Sequence, residues 1–266
     1  MVALTGDMLV WLACVLALPL MTAPLAILWS GESRASAVLT WLGITFAIVT
    51  AGAVFSHLAV DLPRFTAMGA LAAPAVLMGL VVVALSLGAG LRRTVFALAG
   101  AFAGAVRGAG RAVMWLLIIM AIVQFMIVIL RYVFGINFIF MQESVTYMHG
   151  AVFLLAAGYA LLTDDHVRVD IFYRSAPAHR KAAIDLAGIY LFLFPFCLTL
   201  LWASTPYVAN AWAVFEGSTE QSGIQGVFLL KSLIVVFAVL LAMAGFVRAV
   251  DATKTLRPSL DGCLHG

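Results

Sequence analysis

Apolar runs of about twenty residues, separated by short clusters of Arg, Asp and Glu, recur along the whole chain. About 20 residues rising 1.5 Å each cross a 30 Å hydrocarbon core, so each run predicts a membrane-spanning helix. The first extends from about Met8 to Ser30 and is closed by Gly31-Glu32-Ser33-Arg34. The second covers Ala35 to Val60 and ends at Asp61-Leu62-Pro63-Arg64; the third, Met68 to Gly90, stops at Arg92-Arg93. Four more follow: Ala112 to Leu130, Ser144 to Leu162, Ala183 to Ser204 and Gly226 to Val247. The expected fold is all-α. It is a polytopic membrane helical bundle of about seven transmembrane helices, three N-terminal and four in the later core, with amphipathic interfacial helices.

Between the runs the pattern changes character. Thr94 to Val106 is apolar but only about thirteen residues long, and is bracketed by Arg92-Arg93 and Arg107-Arg111. That length is short for a span, so an interfacial helix feeding the next one is expected. Asp164-Asp165-His166-Val167-Arg168-Val169-Asp170 is too densely charged for hydrocarbon and marks a membrane surface. The mixture running on through Ile171, Phe172 and Arg174 to Ala182 suits a connector lying along that surface. Pro195, in the middle of a span, should bend it. Residues 205–225 read as a polar loop bearing Trp and Tyr but no Lys or Arg. The resulting organisation is an N-terminal three-helix extension (1–90), an interfacial linker (91–111), a four-helix domain (112–250) and a tail (251–266).

Composition narrows the class. The 266 residues are 65% hydrophobic and 10% charged, against about 25% charged in soluble domains. Basic residues are dispersed at helix ends, without the clustered patch that nucleic-acid binding needs. Cys14, Cys197 and Cys263 stand alone, with neither a disulfide framework nor zinc-ligand spacing. The N-terminus MVALTGDM lacks the basic region of a cleaved signal peptide, so the first run is expected to persist as a helix. Counting Lys and Arg by side sets the expected orientation. With the C-terminus cytoplasmic, Arg34, Arg92, Arg93, Arg107, Arg111, Arg168, Arg174, Arg180, Lys181, Arg248, Lys254 and Arg257 fall inside, and Arg64 and Arg131 outside. The positive-inside rule therefore predicts a periplasmic N-terminus and places 205–225 in the periplasm.

Several residues are candidates for chemistry or contact. Arg131 and Tyr132 close a span at interface level. Gln142 and Glu143 sit where the next span begins; an acidic side chain there also suits a first helical turn. His166 and Asp170 lie one turn apart, but with no nearby nucleophile they read with Arg168 as an architectural cluster. Lys231, in the first turns of the last span, either snorkels to the interface or pairs with Glu216, Glu220 or a partner's carboxylate. His57 and His149 raise the alternative of a haem-binding or other redox membrane anchor, although a lone membrane histidine more often bonds a neighbouring helix. Gly100 and Gly104 have small-x-x-x-small spacing, which suits helix contact. No catalytic, cofactor or metal constellation is apparent, so an enzyme is not expected. The chain also lacks the paired interrupted helices of a transporter core, and it reads as a scaffold whose helices need a partner.

RYVFG at 131–135, the Gln142-Glu143 pair, HVRVD at 166–170, Phe172-Tyr173 and Lys231-Ser232-Leu233-Ile234 together resemble the small membrane subunit of tripartite ATP-independent periplasmic (TRAP) transporters. The likeness covers roughly residues 112–250 and is closest to the mannitol/chloroaromatic or keto-acid branch. It implies a bacterial inner-membrane protein that braces a large permease subunit, which holds the ion and substrate sites. A periplasmic solute-binding protein would deliver the solute, and uptake would be driven by a sodium or other ion gradient. Two features depart from the pattern. Gly223-Ile224-Gln225-Gly226 stands where a Gly-Gly-Leu-Pro-like turn is expected, and the three N-terminal spans are extra.

Overall fold

The computed structural model describes residues 20–29, 38, 40–42, 44–45, 90–165 and 173–258. The regular elements among them are α1 (Leu20–Trp29), α2 (Leu91–Tyr132), α3 (Ile139–Thr163), α4 (Ala178–Gly188), α5 (Phe194–Ala213) and α6 (Val227–Leu256). A π-turn, Ile189–Leu193, joins α4 to α5 in one rod. Four stretches are long and apolar enough to cross a membrane: α2, α3, the α4–α5 rod and α6. The polytopic all-helical class is thus observed. The spans expected within 46–89, with His57, lie outside the described residues, as do His166, Arg168 and Asp170.

Helix α6 is the axis. It packs against α2, α3, α4 and α5, and α3 also packs on α2, whereas among the described residues α5 touches neither α2 nor α3. Glycines set the closest approaches. A β-carbon at Gly158 would stand 3.1 Å from the Leu240 carbonyl oxygen, and one at Gly150 would stand 3.0 Å from Leu230. Removing those side chains lets α3 lie against the α6 backbone, the means by which membrane helices gain dispersion contact without a hydrophobic driving force. Gly100 and Gly104, by contrast, have nothing within 4 Å and are exposed. Their spacing makes no helix contact among the described residues.

The best-buried core lies at the Arg248 end. Leu91, Val95, Ala99, Ala103, Val106, Gly110 and Val113 form one buried stripe on α2, with the three- and four-residue steps of a single helical face. Part of that stripe packs with Phe246, Val247, Ala249 and Val250 of α6, with Ala23, Ala26 and Ile27 of α1, and with Trp41. Phe102 meets Phe246 edge-on at 5.4 Å. Tyr190 donates to the Met21 carbonyl at 2.5 Å, and Arg257 donates to the Ile27 carbonyl at 3.2 Å. The described N-terminal residues are therefore fastened to the four-helix part at this end.

Boundaries differ from expectation in three places. The segment 94–106 is not a separate helix, because α2 runs unbroken for 42 residues through Arg107 and Arg111. The stretch is Ala-rich and free of Pro, so helix propensity persists, and Arg93, Arg107 and Arg111 project outward from the buried stripe. The helix expected to end at Ser204 continues to Ala213, with Pro206 inside it. Here Thr205 Oγ1 turns back on the Leu201 carbonyl at 2.7 Å, a local bond within the helix beside the proline. Finally, α6 runs past Val247 to Leu256, so the first six residues of the expected tail are helix. At Pro195, where a bend is expected, the structure shows a π-turn just before the proline. The proline has no N–H for the Leu191 carbonyl and crowds it, while the Phe194 N–H reaches back five residues to Ile189.

A larger side chain at a tight glycine should separate the rods. Gly158→Val is expected to cost about 1–3 kcal/mol and to lower the melting temperature of the detergent-solubilised protein. Gly104→Ala should leave stability unchanged or raise it by up to about 1 kcal/mol. Thermal unfolding of the two variants side by side checks this.

Candidate functional site

The end of the bundle opposite Arg248 carries a loop, residues 214–226, between α5 and α6. Loops of this length close at modest entropic cost but are mobile unless tied down. This one is tied by two charged side chains from different helices.

Glu143 lies in the second turn of α3, which begins at Ile139. One carboxylate oxygen accepts from the Ser218 hydroxyl, and the other accepts from the Ile224 N–H at 2.6 Å. Ser218 Oγ in turn accepts the Glu220 N–H at 3.1 Å, and Tyr147 OH reaches the Ile224 carbonyl at 3.5 Å. A single carboxylate thus gathers both limbs of the loop through charge-assisted bonds, which are stronger than neutral ones. Gly223 makes room for this arrangement. A β-carbon there would fall on the Ser218 hydroxyl and 2.7 Å from Glu143 Oε1.

Lys231, one turn into α6, makes a 2.5 Å ion pair with Glu216 and lies 4.1 Å from the centre of the Tyr207 ring. The cation therefore joins α6 to the loop and to α5, combining a carboxylate contact with a cation–π contact. The Glu216 backbone N–H donates to the Ala211 carbonyl at 2.9 Å, and its carbonyl accepts from the Phe228 N–H at 3.2 Å. Trp212 Nε1 donates to Ser232 Oγ at 2.7 Å, and Phe228 stacks edge-on against both Trp212 and Phe215. Phe215 adopts φ 46°, an uncommon conformation for a residue with a side chain.

The other expected residues fall around this clamp or away from it. Gln142 Nε2 donates to Asn137 Oδ1 at 2.7 Å, bracing the turn before α3. Arg131 and Tyr132 end α2 as exposed side chains and do not enter the clamp. His149 is exposed on α3. No group of three His, Cys, Asp or Glu stands ready to hold a metal among the described residues.

A second ionic knot, at the far end, was not foreseen. Arg248 of α6 lies 3.3 Å from Asp164 and 3.9 Å from Asp185, and Tyr173 OH donates to Asp185 at 2.9 Å. Asp164 ends α3 in the left-handed conformation, φ 66°. The sequence did carry a signal for this knot. Asp185 near the start of one span and Arg248 at the end of another are charges that each require a counter-ion at the same membrane face.

The arrangement defines a helical membrane protein with an ordered loop at one end, an ionic knot at the other, and no assembled reactive centre among the described residues. A family model described as tripartite ATP-independent periplasmic transporters, DctQ component, matches residues 120–255, just over half the chain. The chain belongs to that family, and is a multi-pass membrane small permease subunit of a TRAP transporter. Neither the curated proteins nor the solved structures provide a match.

Removing both acceptors at once should free the loop. Glu143→Leu is expected to speed hydrogen exchange at the Ile224 amide by roughly ten- to a hundredfold, corresponding to about 1.5–3 kcal/mol for bonds to a charged group. Exchange within α5 should stay unchanged.

Proposed function

We propose that this subunit braces the large, ion-coupled permease subunit and presents the 214–226 loop to the periplasmic solute-binding protein, for uptake of an organic acid or related solute. The observation that carries the docking role is the clamp. Glu143 and Lys231 hold a lysine- and arginine-free loop in one shape, and an ordered loop loses less entropy when a partner binds it. Exposed Glu220 and Gln221 stand on that loop as polar contacts. The bracing role is supported by how little of each span is covered: 6–22% of the apolar windows are buried within the chain.

The basic residues support an orientation. Arg92, Arg93, Arg107 and Arg111 of α2 share the Arg248 end with Lys181, Lys254 and Arg257, whereas Arg131 and Lys231 lie toward the loop end. We therefore assign the Arg248 end to the cytoplasm and the loop to the periplasm. The motifs at 131–135 and 166–170 support the mannitol/chloroaromatic or keto-acid branch, and the gradient that drives uptake is assigned to sodium by the same likeness.

Two measurements test this reading. Purification of the tagged chain from cells expressing the whole system should bring the large subunit with it. Liposomes holding both subunits and supplied with the binding protein should show saturable, gradient-driven uptake. Saturable uptake by this chain alone would refute the scaffolding role. An alkaline phosphatase reporter should be active when inserted at Glu220 and inactive after Arg257, and the reverse pattern would overturn the orientation.

A further inference from the structure

Gln124 on α2 and His149 on α3 are two polar side chains that the described part of the bundle leaves unserved within apolar helices. Both are exposed, and neither finds a hydrogen-bond partner among the described residues. Nearby Thr146 bonds only weakly, back to the Gln142 carbonyl at 3.4 Å. The three line one open groove of about 370 Å³, whose other walls are Met120, Ala121 and Val145. Gln124 is seven residues before Arg131, about 10 Å deeper along α2, and His149 is six residues past Glu143, about 9 Å deeper along α3. They therefore lie at one level inside the apolar window.

Lipid tails cannot hydrogen-bond an amide or an imidazole, so a polar face at this depth requires a protein partner. The described N-terminal segment does not supply one, because α1 and Trp41 pack at the other end, with Leu91–Ala103 and Phe246–Ala252. The groove adjoins the loop-end site, since Thr146 lines both it and the pocket containing Gln142, Glu143 and Glu220.

We propose that the α2–α3 face centred on Gln124, Thr146 and His149 receives a transmembrane helix of the large permease subunit, one that offers hydrogen-bonding side chains at this depth. This inference rests on the bracing role proposed above. The small Ala121 floor lets a helix approach closely, and His149 and Gln124 fix its register, since each bond is lost if the helix slides by a turn.

The test uses the whole transporter with a photo-crosslinking amino acid placed at 124, at 149 or, as a control, at Trp202, which is 57% exposed on α5. Adducts with the large subunit are expected from 124 and 149 in preference to 202. If the large subunit copurifies but 124 and 149 link instead to residues 1–89, to a second copy of this chain or to nothing, this inference fails while the bracing role stands. If no large subunit copurifies, both fail. The double variant Gln124→Leu, His149→Leu gives an independent readout. The isolated chain should melt as the wild type does, because no internal bond is lost, while recovery of the large subunit falls about threefold or more. Undiminished recovery overturns the hydrogen-bonding role.

Discussion

The structure depends on how α6 is held at its two ends. Lys231 and Arg248 are 17 residues apart, about 25 Å along the helix. The stretch between them, Ser232 to Val247, carries no charge. Each cation is met by carboxylates from other elements: Glu216 of the loop at one end, Asp164 and Asp185 of α3 and α4 at the other. An apolar rod in lipid slides easily along its axis, since every depth offers similar contacts. Paired charges at both ends remove that freedom, because a shift of one turn would strand a charge in hydrocarbon. The α3–α6 glycine contacts then have a defined register in which Gly158 faces Leu240.

From that axis the two ends diverge in purpose. At the Arg248 end the long lower half of α2, the last turns of α6 and α1 bury one another tightly: Ala26, Val106 and Ala249 are fully covered. That burial needs no partner. At the loop end there is little such core, and order comes from charge-assisted bonds and aromatic edges instead.

Much of this was legible in the sequence, because membrane spans follow from length and apolarity alone. The windows 112–130 and 144–162 fall within helices that the structure extends, and all of 226–247 but Gly226 lies in α6. What escaped is where helices stop. Apolarity cannot locate a helix end that lies beyond the hydrocarbon, so α2, α5 and α6 each run further than their greasy windows. Arg107 reads as a boundary in sequence, yet it is an exposed side chain on a continuing helix. Residues 205–213 read as the start of a polar loop, yet α5 continues through Pro206 to Ala213. Lys231 was recognisable as needing a counter-ion, whereas the choice of Glu216 over Glu220 depends on loop geometry that no spacing encodes.

The exposed surface completes the argument. Trp115, Ile122, Phe125, Phe153, Phe192 and Trp202 are each at least half exposed, which in water would mark an aggregation-prone protein. In a bilayer most of that surface needs no further account, since lipid satisfies it as well as protein does. Apolarity therefore cannot distinguish a lipid-facing side of this bundle from a partner-facing one. Only the polar side chains can, because hydrocarbon leaves them unserved wherever they point outward. An open bundle in which α5 stands apart from α2 and α3 offers many faces, and Gln124 and His149 lie on one of them.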